Sequence, residues 1–262
     1  MLLRVCRRLG RLPLGVTETL VPSSPAQFRA LLAGDFDAVL TSPDNVLAYR
    51  WSPVNPLGVT APVEMLAAID RGMGLALYGD ISGRRFGVDV PASGFAFAMY
   101  AIAESRGRPP GSYRVVTLGS TPSRLRSLLA GECDATMLNA GHELHAEAAG
   151  IPLVARVFEV CGPYLGTVLA ALRPIPWLSA ALIRTGAEIV AGQHDELVLS
   201  SARDALGLSG DLAVRYLDRL RSATEGLIPD GVVDRPSLRT VVDLRRRYGP
   251  ALDGDPLSPA LA

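Results

Sequence analysis

An internal repeat constrains the fold of this chain more than any other feature of its sequence. Residues 23–38 read SSPAQFRALLAGDFDA and residues 120–135 read STPSRLRSLLAGECDA, and nine of the sixteen aligned positions are identical. The two copies lie about a hundred residues apart, which is too far for a solenoid, in which each repeat stacks on its neighbour. The repeat therefore predicts two similar lobes.

Each copy has the pattern of a helix followed by a strand. In the first copy Ser23 or Ser24 is placed to cap the helix, Pro25 stands in its first turn, and Gly34 ends it. Apolar residues at helical spacing give the helix one buried stripe. A largely apolar strand follows in both copies, as is typical of parallel strands buried on both faces. The sequence therefore predicts an α/β fold.

A polar turn follows each of the two predicted strands. Residues 41–45 (TSPDN) come after the first strand, and residues 139–142 (NAGH) come after the second. Ligands of open α/β sheets bind beyond the carboxyl ends of the strands. We therefore expect the two turns to face one cleft.

The composition excludes several classes of function. The 26 basic and 26 acidic residues balance, so no nucleic-acid partner is predicted. All the basic residues are arginines, and without a lysine the chain cannot form a Schiff base with pyridoxal phosphate. The three cysteines are isolated and odd in number, which argues against a disulfide framework and a cysteine metal site. No cofactor is predicted.

The hydrophobic pattern bears on localisation. No apolar run reaches the ~18 residues that a membrane span needs. Arginines at positions 4, 7, 8 and 11 interrupt the apolar N-terminal segment, which therefore lacks the apolar core of a signal peptide. As written, the chain is predicted to stay in the cytoplasm.

Two local motifs leave alternatives open. His142 and His145 lie on one face of a predicted helix and would make half a zinc site, but no third ligand is evident, so no metal site is predicted. Ser93 is placed to cap a helix that follows a strand, and the helix start could hold an anion or simply be capped.

The order of the predicted elements indicates a discontinuous first lobe. Strands are predicted at 2–6 and 17–21, the first crossing between lobes at 79–83, and the return crossing at 161–166. From residue 174 onward the pattern is helical. The predicted first lobe comprises 1–82 plus 167–262, with the C-terminal helices packed on it, and the predicted second lobe comprises 83–166.

Four segments resemble a known family. They are LLAGDFDA with SPDNV at 31–38 and 42–46, FGVDVPASGF at 86–95, GLIPDG at 226–231 and LRRRYG at 244–249. In their order and spacing they resemble solute-binding proteins of the type II periplasmic-binding-protein fold, and most of all the nitrate, sulfonate and taurine binders and the thiamine-pyrimidine-synthase-like proteins. The resemblance spans residues 17 to 249.

That resemblance implies two lobes, each a mostly parallel sheet flanked by helices, that close on a small ligand. Family members are usually exported and deliver their ligand to an ABC permease, so a misassigned start would account for the missing signal. The pyrimidine synthases use a lysine-bound pyridoxal phosphate, which the absence of lysine argues against here. The ligand contacts carried over from the family are Ser23, Ser24, Thr41, Ser42, Asp44, Asn45, Asp70, Ser93, Gly94, Phe95, Asn139 and Tyr164.

The sequence leaves two functions open. The first is a monomeric binding protein of the ABC-transporter type for a small, acidic organic solute. The alternative is an intracellular, cofactor-independent lyase, dehydratase or decarboxylase on the same scaffold. Its candidate acid and base groups would be Asp44, Asp70, Tyr164 and His142.

Overall fold

Eight strands in two sheets form the centre of the structure, which is a computed structural model that describes residues 1–257. The strands are β1 (Val39–Thr41), β2 (Glu64–Asp70), β3 (Ala76–Gly79), β4 (Arg85–Val88), β5 (Arg114–Thr117), β6 (Ala135–Leu138), β7 (Leu153–Arg156) and β8 (Thr167–Ala171). The helices between and after them are α1 (Leu2–Arg8), α2 (Ser24–Ala33), α3 (Pro43–Trp51), α4 (Gly94–Ser105), α5 (Thr121–Leu129), α6 (His142–Ala148), α7 (Val157–Cys161), α8 (Pro176–Val190), α9 (Asp195–Leu206), α10 (Asp211–Arg221) and α11 (Arg235–Tyr248).

The two sheets differ in size and in strand direction. The first has the order β1-β8-β2 and is antiparallel throughout, and the second has the order β5-β4-β6-β3-β7. In the second sheet β4 runs parallel to β5 and β6, whereas β3 runs antiparallel to β6 and β7. The predicted α/β class with two sheets is confirmed. The expectation of mostly parallel pairing is wrong for the first sheet, because β8 returns from the second lobe and enters between β1 and β2 in the opposite direction. It is wrong for the second sheet as well, where two of the four strand pairings are parallel and two are antiparallel.

The repeated helix–strand unit has the predicted form in both copies. Ser23 caps α2, since its Oγ accepts from the Ala26 N–H at 3.4 Å, and Gly34 ends the helix with a φ of 82°. In the second copy Ser120 stands at the cap position of α5, but its Oγ makes a hydrogen bond with Ser123 Oγ at 3.2 Å instead. The strands that follow, β1 and β6, each pair with an antiparallel neighbour.

The chain crosses between the sheets at two places. The first crossing lies between β2 and β3, where Gly72, Met73 and Gly74 all have positive φ. The prediction of a crossing at 79–83 is therefore wrong: that segment is the turn from β3 to β4, which belong to one sheet. The return crossing lies between α7 and β8, as expected.

The division into lobes with the bounds 1–82 plus 167–262 and 83–166 stays a prediction. The strand β3 (76–79) belongs to the second sheet, so the strand order favours a first boundary before residue 76. Residues 258–262 of the predicted first lobe lie outside the described residues.

The N-terminal segment departs from its prediction. The strand expected at 2–6 is part of α1, in which Leu2, Val5 and Cys6 are buried, a spacing that suits one face of a helix. The Cys6 thiol donates to Thr185 Oγ1 at 3.2 Å on α8. The second predicted strand, 17–21, has no strand partner among the described residues and is not a strand.

The C-terminal helices pack on the first sheet, as expected. One apolar cluster joins Ala67 and Leu169 of that sheet to Leu182 of α8, Val198 of α9 and Leu217 of α10. A second cluster runs from the first sheet through α3, α4 and α11 to the second sheet. The two sheets therefore share a continuous apolar core on the side of α4.

We expect the aligned aspartates of the repeat to differ in their contribution to stability. Asp134 Oδ2 accepts from the Arg84 and Arg85 N–H groups at 2.8 and 2.7 Å, and the Arg85 guanidinium, which donates to it, holds the pKa of Asp134 at about 2. Asp134→Ala should lower the free energy of unfolding by about 1–3 kcal/mol, since it removes charged acceptors from the start of β4. Urea denaturation measures this change.

The matched control is Asp37→Ala at the aligned position of the first copy. The Asp37 side chain is 80% exposed and pairs only with the exposed Arg173, among the described residues. Its replacement should change the free energy of unfolding by less than about 0.5 kcal/mol. An equal loss of unfolding free energy in Asp134→Ala and Asp37→Ala would contradict the prediction that Asp134 alone stabilises the start of a strand.

Candidate ligand-binding site

A buried ion pair lies where the two sheets meet. Asp44, in the first turn of α3, is fully buried, and its two oxygens accept from Arg245 Nε at 2.5 Å and Arg245 Nη2 at 2.8 Å. Burial raises the pKa of Asp44, while the Arg245 charge and hydrogen bonds oppose that rise. Asp44 was predicted to contact the ligand and, in an enzyme, to act as an acid or base. Both of its carboxylate oxygens accept hydrogen bonds from Arg245 of α11 instead.

The start of α4 touches the start of α3 beside this pair. A Cβ on Gly94 would lie 2.6 Å from Asp44 Cβ and 3.1 Å from Ser42 Oγ, so only glycine fits at this position. Ser42 caps α3 by accepting from the Asp44 N–H at 3.3 Å, and Ser93 caps α4 by accepting from the Ala96 N–H at 3.2 Å. The N-termini of α3 and α4 therefore converge here. The expectation that the turns 41–45 and 139–142 face one cleft stays a prediction, because the helix start that meets α3 is that of α4.

An arginine that the sequence analysis did not single out lies buried at the carboxyl edge of the second sheet. Arg124 is 2% exposed and donates to the carbonyl oxygens of Met137 at 3.1 Å and Gly119 at 2.6 Å and to Thr121 Oγ1 at 3.0 Å. No carboxylate among the described residues comes within 4.0 Å of this guanidinium. Burial lowers the pKa of Arg124, and the negative charge of Asp89 partly offsets that effect.

The repeat contains the signal that could have pointed to Arg124. Its aligned residue in the first copy is Gln27, and the two side chains donate to the aligned strand carbonyls of Leu40 and Met137. The neutral amide of Gln27 makes this bond in the first copy, so the repeated helix–strand unit does not need a positive charge at the position of Arg124. Asp89 was missed as well, although it follows β4 directly, as Asn139 follows β6.

Three predicted site residues gather around the first crossing. Asp70 Oδ1 accepts from the Gly72 N–H at 2.8 Å, and Asn139 Nδ2 donates to the Gly72 carbonyl at 3.2 Å. The Tyr164 ring lies beside Gly72, and its buried hydroxyl has no hydrogen-bond partner among the described residues. Burial raises the pKa of Asp70 to about 6 and that of Tyr164 well above its ordinary value. These residues link the crossing to both sheets.

The remaining predicted residues have local partners or lie elsewhere. Asn45 Nδ2 donates to Thr41 Oγ1 at 3.0 Å. His142, at the start of α6, has its pKa lowered to about 4 by burial and by the nearby charges of His145 and Arg124. Ser23 and Ser24 form the beginning of α2, and Phe95 packs against the core between the sheets.

Two other features of the described residues concern metals and membranes. Nowhere in residues 1–257 do three or more His, Cys, Asp or Glu side chains stand in a position to hold a metal ion. Within the same range, each helix is too short or too polar to cross a membrane.

A groove lies away from this site, along the outer edge of β1. Its volume is about 710 Å³, and residues 15–21 and 35–40 line it together with Leu3 and Trp177. The junction of the lobes is instead closely packed, as the contact of Gly94 with α3 shows.

Solved structures resemble this chain over nearly its full length. A protein from Bordetella bronchiseptica RB50 has a TM-score of 0.74 and 19% identity, covering 100% of this chain and 89% of its own. The alkanesulfonate-binding protein SsuA from Xanthomonas axonopodis pv. citri has a TM-score of 0.69, 14% identity and coverages of 95% and 88%. The periplasmic nitrate-binding protein NrtA from Synechocystis PCC 6803 has a TM-score of 0.68 and 10% identity, covering 95% of this chain and 78% of its own. The sequence matches no protein-family model and no curated protein.

These likenesses establish the fold. The chain has the type II periplasmic-binding-protein fold of ABC-type solute-binding proteins.

We expect the buried ion pair to be essential for stability. Asp44→Asn leaves the Arg245 guanidinium, whose side chain is 3% exposed, without its counter-ion, and should lower the free energy of unfolding by about 3–5 kcal/mol. Asp243→Asn on α11 is the control, because Asp243 is 57% exposed and lies 3.7 Å from Arg246. It should cost less than about 0.5 kcal/mol. Urea denaturation that ranks the two variants equally would contradict this prediction.

Asp70 should make stability depend on pH between about 4 and 6. Its folded pKa of about 6 exceeds the ~3.9 of an unfolded aspartate, so the folded state binds the proton more tightly. The stabilisation is present below pH ~4 and is lost as the pH rises through 6, with a total change of about 2–3 kcal/mol. Asp70→Asn should flatten this part of the profile, measured by urea denaturation at each pH. Asp204→Asn, an exposed change on α9, should leave the profile as it is.

Proposed function

We propose that this protein is a small-molecule binding protein of the ABC-transporter substrate-binding type, which closes two lobes on an acidic organic solute. The observation that carries the proposal is the Arg124 guanidinium, which is buried at the carboxyl edge of the second sheet and has only neutral hydrogen-bond acceptors. The α/β fold favours ligand binding at that edge.

The energetics of Arg124 favour an anionic ligand. Burying a cation costs several kcal/mol unless a negative group compensates for its lost hydration. The negative charge of Asp89 raises the pKa of Arg124, but the Asp89 carboxylate lies more than 4.0 Å from the Arg124 guanidinium. One of the Asp89 oxygens already accepts from Ser93 Oγ at 2.5 Å. A carboxylate or sulfonate of a ligand would supply the missing charge and would also meet the partial positive charge at the start of α4.

Two properties of the fold support lobe closure on such a ligand. Two crossing segments join the sheets, and hinge motions take place in a few residues of this kind. Two of the structurally similar proteins bind alkanesulfonate and nitrate, as their names say, and both ligands are anions. For this chain the ligand class stays a proposal.

An ABC permease partner and export from the cytoplasm belong to the same proposal. One structurally similar protein is periplasmic by name, which supports a periplasmic rather than a cytoplasmic location. Fractionation of native cells, with the protein followed by antibody, distinguishes the two locations.

The test is mass spectrometry of a metabolite extract incubated with the purified protein. A carboxylate or sulfonate retained intact on the protein, with no new species in solution, is the expected result. Depletion of a compound in step with a new mass, at more than one equivalent per protein, would make the protein an enzyme and overturn the proposal. Retention of no compound would also overturn it.

The matched variants are Arg124→Gln and Arg126→Gln on the same helix. Glutamine already occupies the aligned position of the first copy, so Arg124→Gln should fold normally, while affinity for the retained anion should fall at least about 30-fold. Arg126 is exposed, and its replacement should leave affinity within about twofold, since rim charges contribute little. Calorimetric titration measures both, and equal affinity in the two variants would remove Arg124 from the site.

A further inference from the structure

The first crossing between the sheets has a strained backbone. Three non-glycine residues have positive φ among the described residues, and two of them meet here, Met73 at 52° and Ala140 at 56°. The Ala140 N–H donates to the Met73 carbonyl oxygen at 2.8 Å, so the two strained residues are bonded to each other. A side chain disfavours this region of φ, and such a conformation persists only where its surroundings hold it. The contacts around Met73 therefore decide whether the crossing keeps its shape.

Glu225 contacts this crossing through its backbone. Its carbonyl oxygen accepts from the Met73 N–H at 2.8 Å. The segment that follows Glu225 bonds to β2, since the Ile228 N–H donates to the Ile69 carbonyl oxygen at 2.9 Å. Glu225 is thus fixed to the first sheet and touches the strained part of the crossing directly.

The carboxylate of Glu225 joins the two sides of the crossing. One oxygen accepts from Arg156 Nη1 at 3.2 Å, at the end of β7 in the second sheet. The other oxygen accepts from Arg219 of α10, a helix that packs on the first sheet. The three side chains are at most 15% exposed, and salt screens ion pairs of this kind only weakly. Glu225 therefore links the two sheets by charge-assisted hydrogen bonds, which are stronger than neutral ones.

Two buried polar atoms beside these ion pairs lack a hydrogen-bond partner among the described residues. They are Glu143 Oε1 of α6 and Arg219 Nε, which lie 4.0 Å apart. A Cβ on Gly74 would come within 2.8 Å of the first and 2.9 Å of the second, so the crossing itself borders both atoms. A buried polar atom without a partner costs free energy, which is recovered once water reaches it. The close packing of the sheets thus has a cost at this point as well.

A more exposed contact runs beside the Glu225 ion pairs. Arg215 of α10 donates to Glu147 of α6, which also accepts from Tyr78 of β3. The Arg215 side chain is 46% exposed, and an exposed ion pair contributes little. Glu225 is therefore the residue whose charge matters at this junction.

We propose that Glu225 is a latch across the first crossing, and that its carboxylate keeps the two sheets in the closely packed arrangement of this structure. Its ion pairs offset the strained backbone and the unpartnered buried atoms. Once they are lost, opening of the lobes lets the backbone relax and lets water reach those atoms. The latch rests on the lobe movement of the proposed function, but not on the class of the ligand.

The experiment compares Glu225→Gln with the parent protein, both free of ligand. We expect the variant to have a larger radius of gyration by small-angle X-ray scattering. The amides of Met73 and Ala140 should exchange hydrogen roughly 10–100-fold faster, while those of β6 keep their rates, because the opening is local. An unchanged radius, or exchange that rises equally in all strands, would overturn the proposal.

A variant on the other side of the crossing and an exposed control complete the test. Arg156→Gln removes the same link from the second sheet and should give the same radius as Glu225→Gln, and the double variant should not exceed either. Glu196→Gln, an exposed change on α9, should leave radius and exchange at the parent values. An Arg156→Gln variant that stays compact would contradict the latch. Because no ligand is present, these results are independent of whether the proposed anion binds.

Discussion

The buried ion pair between Asp44 and Arg245 is the interaction on which the junction of the lobes depends. It joins α3 to α11, which lie 201 residues apart in sequence, and it lies against the glycine that begins α4. Because a buried charge without a partner is costly, the pair fixes α11 in one position. That position in turn holds the N-terminus of α3, which follows β1, beside the N-terminus of α4, which follows β4. The candidate site is therefore built around the Asp44–Arg245 ion pair, which forms within the protein and does not involve a ligand.

Much of this arrangement follows from short-range sequence signals. The caps Ser23 and Ser93 and the terminal Gly34 were predictable, because capping depends on a few neighbouring residues. The repeat predicted two similar units, and the structure contains them. Strand 2–6 was a wrong prediction because a short apolar run fits a strand or a buried helix equally well.

The chemistry of the site was less predictable, because it depends on long-range packing. Arg124 lies on an amphipathic helix, where an arginine is ordinarily exposed, and its burial follows from contacts with Met137 and Gly119. The partner of Asp44 could not be chosen among the many arginines of the chain. The position of the first crossing was missed because turn residues occur at both ends of β3, and strand pairing alone decides which turn leaves the sheet.

The central place of β8 in the first sheet has a consequence for folding during synthesis. Both neighbours of β8, β1 and β2, are made early, but neither pairs with the other, so the first sheet cannot form until residue 171 has left the ribosome. The strands of the second sheet all lie between residues 76 and 156, and that sheet can therefore close first. Contacts between distant residues form slowly, and until then the apolar strands of the first lobe are exposed to wrong partners. The lobe that begins the chain is thus the last to fold.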